Sequence, residues 1–390
     1  MHLRPELLKG VFAAGFQAPS KIQEKAIPLL LHDPPQNLIG QSQSGTGKTA
    51  TFTLAVLSRV DPTDPSLQAV ILAPARELAR QIMDVVESLG RFSGIKAALL
   101  VKEALKDTTA GGKVDAQILV ATPGTVIDAA QRKRVIDMSK VKIFVLDEAD
   151  NMLNAQGMGD QSMRVRGLIP RNQPVQVALF SATFPRQVRD FAERMAPNSN
   201  KLTLRQEELS VAGIKQFYFQ CRDDEEKFKM LNDLYGLLTV GQSIIFVNRR
   251  DVADRIAQRM TADGHQVTAL HGQLTPDDRD RVIDDFRAGR AKVLISTNVL
   301  SRGIDVLQVT IVINYDLPTG ERGLPDPETY LHRIGRTGRF GRNGVSVNFV
   351  HDDRSRRVME EISNYFSVEI KPLPTDDFEL IEKTLKKAMK

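Results

Sequence analysis

Eight residues near the start, Ser42-Gln43-Ser44-Gly45-Thr46-Gly47-Lys48-Thr49, nearly satisfy the pattern G-x-x-x-x-G-K-[ST]. In that pattern glycines let successive backbone N–H groups curl around phosphate oxygens, the lysine reaches the outer phosphates, and the last hydroxyl ligates magnesium. Ser42 stands where the pattern has its first glycine. The strand-like run NLIG (37–40) precedes the loop, and the helix-like TATFTLAVLSRV (49–60) follows it. Strand, glycine loop, helix is the context a phosphate cradle needs; an ordinary glycine-rich turn is the competing reading.

About 100 residues on, Asp147 ends the apolar run IFVLD (143–147), with Glu148 beside it. An aspartate at a strand end can hold magnesium opposite Thr49, partly through water, and Glu148 is placed to orient or deprotonate an attacking water. Alone, the pair would be a solvated strand end. Near the far end stands His332-Arg333-Ile334-Gly335-Arg336-Thr337-Gly338-Arg339. Arg336 and Arg339 share a face if the segment is helical. Both could reach a transferring phosphoryl group, which would place ATP between two domains. A surface basic cluster, or a phosphate-binding patch for nucleic acid, accounts for them equally well when they are taken alone.

These residues need elements to position them. The 390-residue chain is too long for one ordinary core, which favours two domains. Its 42% hydrophobic and 26% charged residues are those of a folded globular chain. A net charge of +5 permits a polyanionic partner without requiring one. No apolar run approaches the roughly 20 residues needed to cross a bilayer, and MHLRPELLKG does not resemble a secretory signal. The single cysteine, Cys221, rules out an internal disulfide and reads as a half-buried strand residue.

Short apolar runs alternate with helical lengths throughout. They fall at 37–40, 69–74, 97–101, 117–122, 143–147 and 177–183, then at 217–221, 243–247, 266–271, 292–297, 309–316 and 345–350. Such runs read as parallel strands buried on both faces, giving two α/β domains, 1–207 and 214–390. The seam is expected in RQEELSVAG (205–213), after the strand-like KLTL. FELIEKTLKKAMK (378–390) reads as an amphipathic helix whose lysines form a solvated face. Polar residues cluster at the ends of several runs: Thr122-Pro123-Gly124, Asp147-Glu148, Ser181-Ala182-Thr183 and Thr297-Asn298. Ligands bind at that edge of open parallel sheets.

In order along the chain stand GFQAPSKIQ (15–23), SQSGTGKT, PARELA (74–79), TPGT (122–125), DEAD (147–150), SAT (181–183), SRGID (301–305) and HRIGRTGR (332–339). With this set the chain resembles a DEAD-box RNA helicase over essentially its full length. That family often has alanine where Ser42 stands. The resemblance implies two tandem RecA-like parallel-sheet domains joined by a short linker, hydrolysing ATP with magnesium. It assigns the nucleotide to Phe16, Gln23 (reading adenine), Ser44 through Thr49, Gly303 and Asp305 (contacting ribose), with magnesium on Thr49 and Asp147. Lys48, Asp147, Glu148, Arg336 and Arg339 become catalytic. Asp150, Ser181, Thr183 and His332 couple the ATP site to RNA. RNA, held mostly by phosphates and 2′-hydroxyls, falls to Pro74, Arg76, Glu77, Thr122, Gly124, Gly272, Thr297 and Arg302. Such binding is sequence-tolerant, and the 2′-hydroxyl separates RNA from DNA.

Departures from the family pattern imply modest RNA affinity and dependence on partners. Ala75 and Thr125 stand where the family has threonine and arginine, no double glycine appears near ALLVKEALK, and Pro276 replaces a frequent glutamine. An aromatic expected 17 residues before GFQAPSKIQ would fall before residue 1, implying a weaker grip on adenine. LLLHDPPQN (29–37), DEADNML (147–153), PTGERGLPDPETY (318–330) and PTDDFELIEKTLKKAMK (374–390) look like the messenger-RNA-export branch of the family. The branch implies a monomer without membrane insertion, in cytoplasm and nucleus and concentrated at the cytoplasmic face of the nuclear pore. Its partners there are single-stranded RNA or messenger ribonucleoprotein, a nucleoporin and an export activator carrying inositol hexakisphosphate. An ATP-gated RNA clamp with slow, partner-dependent hydrolysis is the alternative; a DNA helicase is a third reading.

Overall fold

The computed structural model describes residues 3–41, 46–102, 112–154, 157–202, 214–238, 241–297, 309–320, 323–338 and 343–389. The chain divides into two compact units, Met1–Arg205 and Gln206–Lys390. The expected seam at 205–213 lies outside the described residues.

The first unit holds a parallel sheet of β1 (Leu38–Gln41), β2 (Ala69–Leu72), β3 (Ala97–Leu100), β4 (Ile118–Ala121), β5 (Ile143–Leu146), β6 (Gln176–Ser181) and β7 (Asn200–Leu202). Among the described residues the strand order is β3-β4-β2-β5-β6-β1-β7. Its strands are apolar at nearly every position because both faces are covered. In β2, Ala69 and Ile71 enter one core while Val70 and Leu72 enter the opposite one. In β5, Ile143 and Val145 divide from Phe144 and Leu146 in the same way, and all eight side chains are fully buried. Each of these side chains larger than alanine contributes about 1.5–3 kcal/mol relative to exposure.

The second unit repeats this plan with β8 (Ile214–Gln220), β9 (Gln242–Phe246), β10 (Val267–Leu270), β11 (Val293–Ser296), β12 (Val309–Asn314), β13 (Gly344–Val350) and β14 (Lys371–Leu373). Its order, β10-β11-β9-β12-β13-β8-β14, is the first sheet's order with every number raised by seven. Ile245 and Ile311 face one core, and Ile244 and Val312 the other. All twelve expected runs form strands; β14, which carries a proline and spans three residues, was not expected. The C-terminal segment is helical over Phe378–Met389, with Lys386 and Lys387 in its last turn.

Two expectations are corrected. Cys221 is not half-buried: it follows β8 at 2% exposure, and burial pushes its thiol up to about 12, so it packs as an inert apolar residue. The helix carrying His332 runs only from Pro327 to Ile334 and is capped by Gly335, so Arg336 does not lie on a helical face. Among the described residues no helix is long and apolar enough to cross a membrane.

Candidate active site

The glycine loop leads from β1 into the helix Lys48–Arg59, whose N-cap, Gly47, has no side chain to cap it. Gly47 caps that helix at φ +97°, a left-handed conformation that only glycine adopts without strain. The preceding helix, Lys21–Leu30, begins with a capping box of Ser20 and Gln23. Both residues also hold the loop. Ser20 Oγ donates to the Thr46 carbonyl at 2.7 Å, and Gln23 Nε2 donates to the Gly47 carbonyl at 3.4 Å. A Cβ on Gly47 would lie 2.6 Å from Gln23 Nε2 and 3.2 Å from Ser20 Oγ. Gly47→Ala is therefore expected to weaken ATP binding about tenfold, through roughly 1–2 kcal/mol of backbone strain plus the displaced Gln23. Equilibrium titration with a fluorescent ATP analogue reads this, and unchanged affinity would count against the loop assignment. Beside Gln23 lies an apolar cavity of about 180 Å³, walled by Phe12, Phe16, Pro19, Ala50 and Leu54.

Strand order brings the acidic groups to this loop. β1 pairs with β6, and β6 with β5, so their C-terminal ends are neighbours. Asp147 and Glu148 follow β5 and are 3% and 5% exposed. Burial pushes the Asp147 carboxyl up to about 7; the Lys48 ammonium draws it down, while Glu148 and Asp150 press it upward. Lys48 itself is buried. Three buried carboxyl groups, those of Asp147, Glu148 and Asp150, thus lie together, with the Lys48 ammonium acting on Asp147. Glu148 has φ +53°, an unusual conformation for a side-chain-bearing residue. Its N–H donates to Asp147 Oδ1 at 3.0 Å, and its Oε2 accepts from Asn151 Nδ2 at 2.5 Å.

The coupling candidates of the first unit form one hydrogen-bonded cluster at the end of β6. Thr183 donates to Asp150 Oδ2 through its N–H at 3.2 Å and its hydroxyl at 2.8 Å. The Asp150 N–H donates to Ser181 Oγ at 3.2 Å, and that hydroxyl donates to the Thr183 carbonyl at 2.9 Å. Asn151 was not singled out from sequence; its only signal was its place directly after the acidic run.

The RNA candidates of the first unit follow neighbouring strands of its sheet. Pro74, Arg76 and Glu77 follow β2, while Thr122 and Gly124 follow its partner β4. Thr125, where an arginine was expected, turns inward, its hydroxyl 2.8 Å from that of Thr122. In the second unit Gly272 and Thr297 follow the paired strands β10 and β11, and the Thr297 N–H donates to the Leu270 carbonyl at 3.4 Å. Gly272 is exposed, with Arg279 Nη2 donating to its carbonyl at 2.9 Å. His332 and Arg336 are buried in this unit, and Arg336 Nε donates to the His332 carbonyl at 3.1 Å. Arg333 is fully buried, donating to Asn314 Oδ1, the Asp316 carbonyl and Asn248 Oδ1 at 3.2, 2.6 and 3.0 Å. Ser44, Gly45, Arg302, Gly303, Asp305 and Arg339 lie outside the described residues.

Two parallel sheets of one topology, the first carrying a glycine loop, a buried lysine and a buried Asp-Glu pair, suit the binding of a nucleoside triphosphate. Comparison with known proteins narrows the class. Residues 20–191 match the DEAD/DEAH box helicase family and residues 226–341 the helicase conserved C-terminal domain. The ATP-dependent RNA helicase dbp5 of Schizosaccharomyces pombe is 57% identical over 390 residues, covering 100% of this chain and 76% of that one. The structure of S. cerevisiae Dbp5 bound to RNA and ADP BeF3 superposes with a TM-score of 0.94 at 52% identity, covering 100% of this chain and 98% of that one. A Dbp5 variant of S. cerevisiae bound to Nup159, a Gle1 variant, IP6 and ADP gives 0.73 at 50% identity, covering 99% of each chain. The chain belongs to the DEAD/DEAH box helicases.

Proposed function

We propose that this chain is an ATP-dependent RNA helicase whose hydrolysis is stimulated by single-stranded RNA and drives local unwinding and ribonucleoprotein remodelling in messenger-RNA export. The observation that carries this reading is the Asp150–Ser181–Thr183 cluster, which shares one strand-end neighbourhood with Asp147, Glu148 and the glycine loop. Similarity to relatives seen with RNA, and with Nup159, Gle1 and IP6, supports the same partners for this chain at the cytoplasmic face of the nuclear pore.

In this reading the phosphates of ATP rest on the N-terminal N–H groups of the helix Lys48–Arg59, and Lys48 neutralises the outer ones. Gln23 leaves the Gly47 carbonyl to read the adenine edge, with Phe16 and the adjoining cavity beside the base. Glu148 takes a proton from the water that attacks the γ-phosphorus, as the bond to the β-phosphate oxygen breaks and ADP leaves. Arg336 and Arg339 stabilise the charge on the transferring group. RNA phosphates and 2′-hydroxyls fall to the loops after β2, β4, β10 and β11.

Magnesium fits these residues. Among the described residues no cluster of three or more His, Cys, Asp or Glu side chains could cage a metal alone. Magnesium instead takes one or two protein oxygens and completes its shell with water and substrate phosphates. Asp147, partly through water, and the Thr49 hydroxyl would hold it, and when bound it neutralises charge on the phosphate oxygens.

The raised Asp147 carboxyl gives this assignment a pH signature. Its pKa rises from 3.8 to about 7, so protonation stabilises the metal-free fold. That contribution is present in acid and is lost as pH rises through about 7. Binding magnesium and ATP needs the ionised form. Binding is therefore expected to release protons near neutrality and to weaken as pH falls below 7. Calorimetry in two buffers of different ionisation enthalpy reads the released proton; none released at pH 6.5 would contradict the assignment. The function itself is tested by steady-state ATP hydrolysis with and without single-stranded RNA, with the DNA of the same sequence as control. Stimulation by RNA alone is expected. Equal stimulation by DNA, or none by RNA with the Gle1–IP6 activator present, would overturn it.

A further inference from the structure

We propose that Asn151 is a positioning residue that ties the hydrolytic carboxylate of Glu148 to the Ser181–Thr183 loop, so that the state of that loop sets the hydrolysis rate. The inference rests on the reading of Glu148 as the group that activates water.

Asn151 is 5% exposed and touches both partners. Its Nδ2 donates to Glu148 Oε2 at 2.5 Å, and its backbone N–H donates to Asp150 Oδ1 at 3.0 Å. The opposite oxygen of Asp150, Oδ2, receives both Thr183 bonds. An unbroken line of hydrogen bonds therefore runs from the Glu148 carboxylate through Asn151 and Asp150 to Thr183. The amide orientation is fixed by this line: flipping it would turn its oxygen toward the carboxylate. Asn151 Oδ1 is buried with no hydrogen-bond partner among the described residues. Leaving an acceptor so is costly, and the side chain remains there for its donor end. Glu148 has an additional need of a tether, since its backbone already sits at φ +53°. With Oε2 occupied, Oε1 is left to meet water. A shift of Thr183 against Asp150 moves the first turn of the helix Ala149–Asn154, and Asn151 passes that shift to the carboxylate within the same turn.

The test uses the full chain carrying Asn151→Leu, which keeps the branched shape but donates nothing, and the smaller Asn151→Ala. ATP hydrolysis is measured at saturating ATP with and without single-stranded RNA. The RNA-stimulated kcat is expected to fall about tenfold and the unstimulated rate by clearly less, so the stimulation ratio drops. KM for ATP, RNA affinity with a non-hydrolysable ATP analogue and Tm are expected to stay near wild type. In a Glu148→Gln background, Asn151→Leu should add no further loss, because the two residues act as one unit. A ratio that survives in both variants overturns the inference, whether the two rates fall together or neither falls. If Glu148→Gln is inactive while the ratio survives in the Asn151 variants, the role of Glu148 stands and that of Asn151 falls. If Glu148→Gln turns over normally, the underlying reading falls first.

Discussion

Glu148→Gln is expected to stop ATP hydrolysis while ATP and RNA stay bound. The amide keeps the size of the side chain and can still meet Asn151, but it cannot take a proton from water. Losing a positioned general base costs about 10²–10⁴ in rate, and the buried setting of Glu148, with no water beyond the attacking one needed, places the effect near 10³. KM for ATP should move little, since the Gly47–Lys48 cradle and Asp147 are untouched. RNA should dissociate slowly in the presence of ATP, because release follows hydrolysis. Single-turnover hydrolysis with labelled ATP, alongside RNA dissociation by fluorescence anisotropy, checks both halves. Wild-type turnover would remove Glu148 from the chemistry.

Arg339→Ala, and Arg336→Ala beside it, are expected to slow hydrolysis about 10³-fold with only a few-fold change in ATP affinity, the behaviour of arginine fingers. A finger stabilises charge that develops as the phosphoryl group transfers, so its loss appears in kcat. Lysine should rescue neither position, because a point charge does not reproduce the planar fork of donors. Arg336 sits just beyond the helix Pro327–Ile334, turned back on the His332 carbonyl. Pre-steady-state measurement of phosphate release against nucleotide affinity separates the outcomes. A loss confined to ATP binding would make these arginines phosphate holders and leave the fingers unassigned.

Much of the fold was legible because both sheets are buried on both faces. Continuous runs such as AVIL and IFVL have no polar alternation to confuse them, and polar residues gather where the strands stop. β14 was not legible: Lys371-Pro372-Leu373 carries neither length nor strand propensity, and only its pairing with β8 makes it a strand. The loop, the Asp-Glu pair and the coupling residues were legible as residue types, but their connections were not. Gln23 could be assigned to adenine from its motif, yet its bond to the Gly47 carbonyl depends on two segments 24 residues apart meeting in space. Asn151 is invisible because asparagine after an acidic run is usually a solvated helix residue. The arginines of HRIGRTGR read alike in sequence, whereas Arg333 points wholly inward and braces the element that carries His332.

The matching strand orders of the two sheets make the ends of β1 and β8 equivalent positions, each leading into a helix beside the same neighbours. After β1 that helix opens with Gly47 and Lys48; after β8 it opens with Asp223, Asp224, Glu225 and Glu226. Asp223 already accepts the Glu226 N–H at 2.8 Å, so the second helix answers its own dipole with carboxylates and repels phosphate. Of these two equivalent positions, the first suits the phosphates of a nucleotide and the second is closed to them by its own acidic turn.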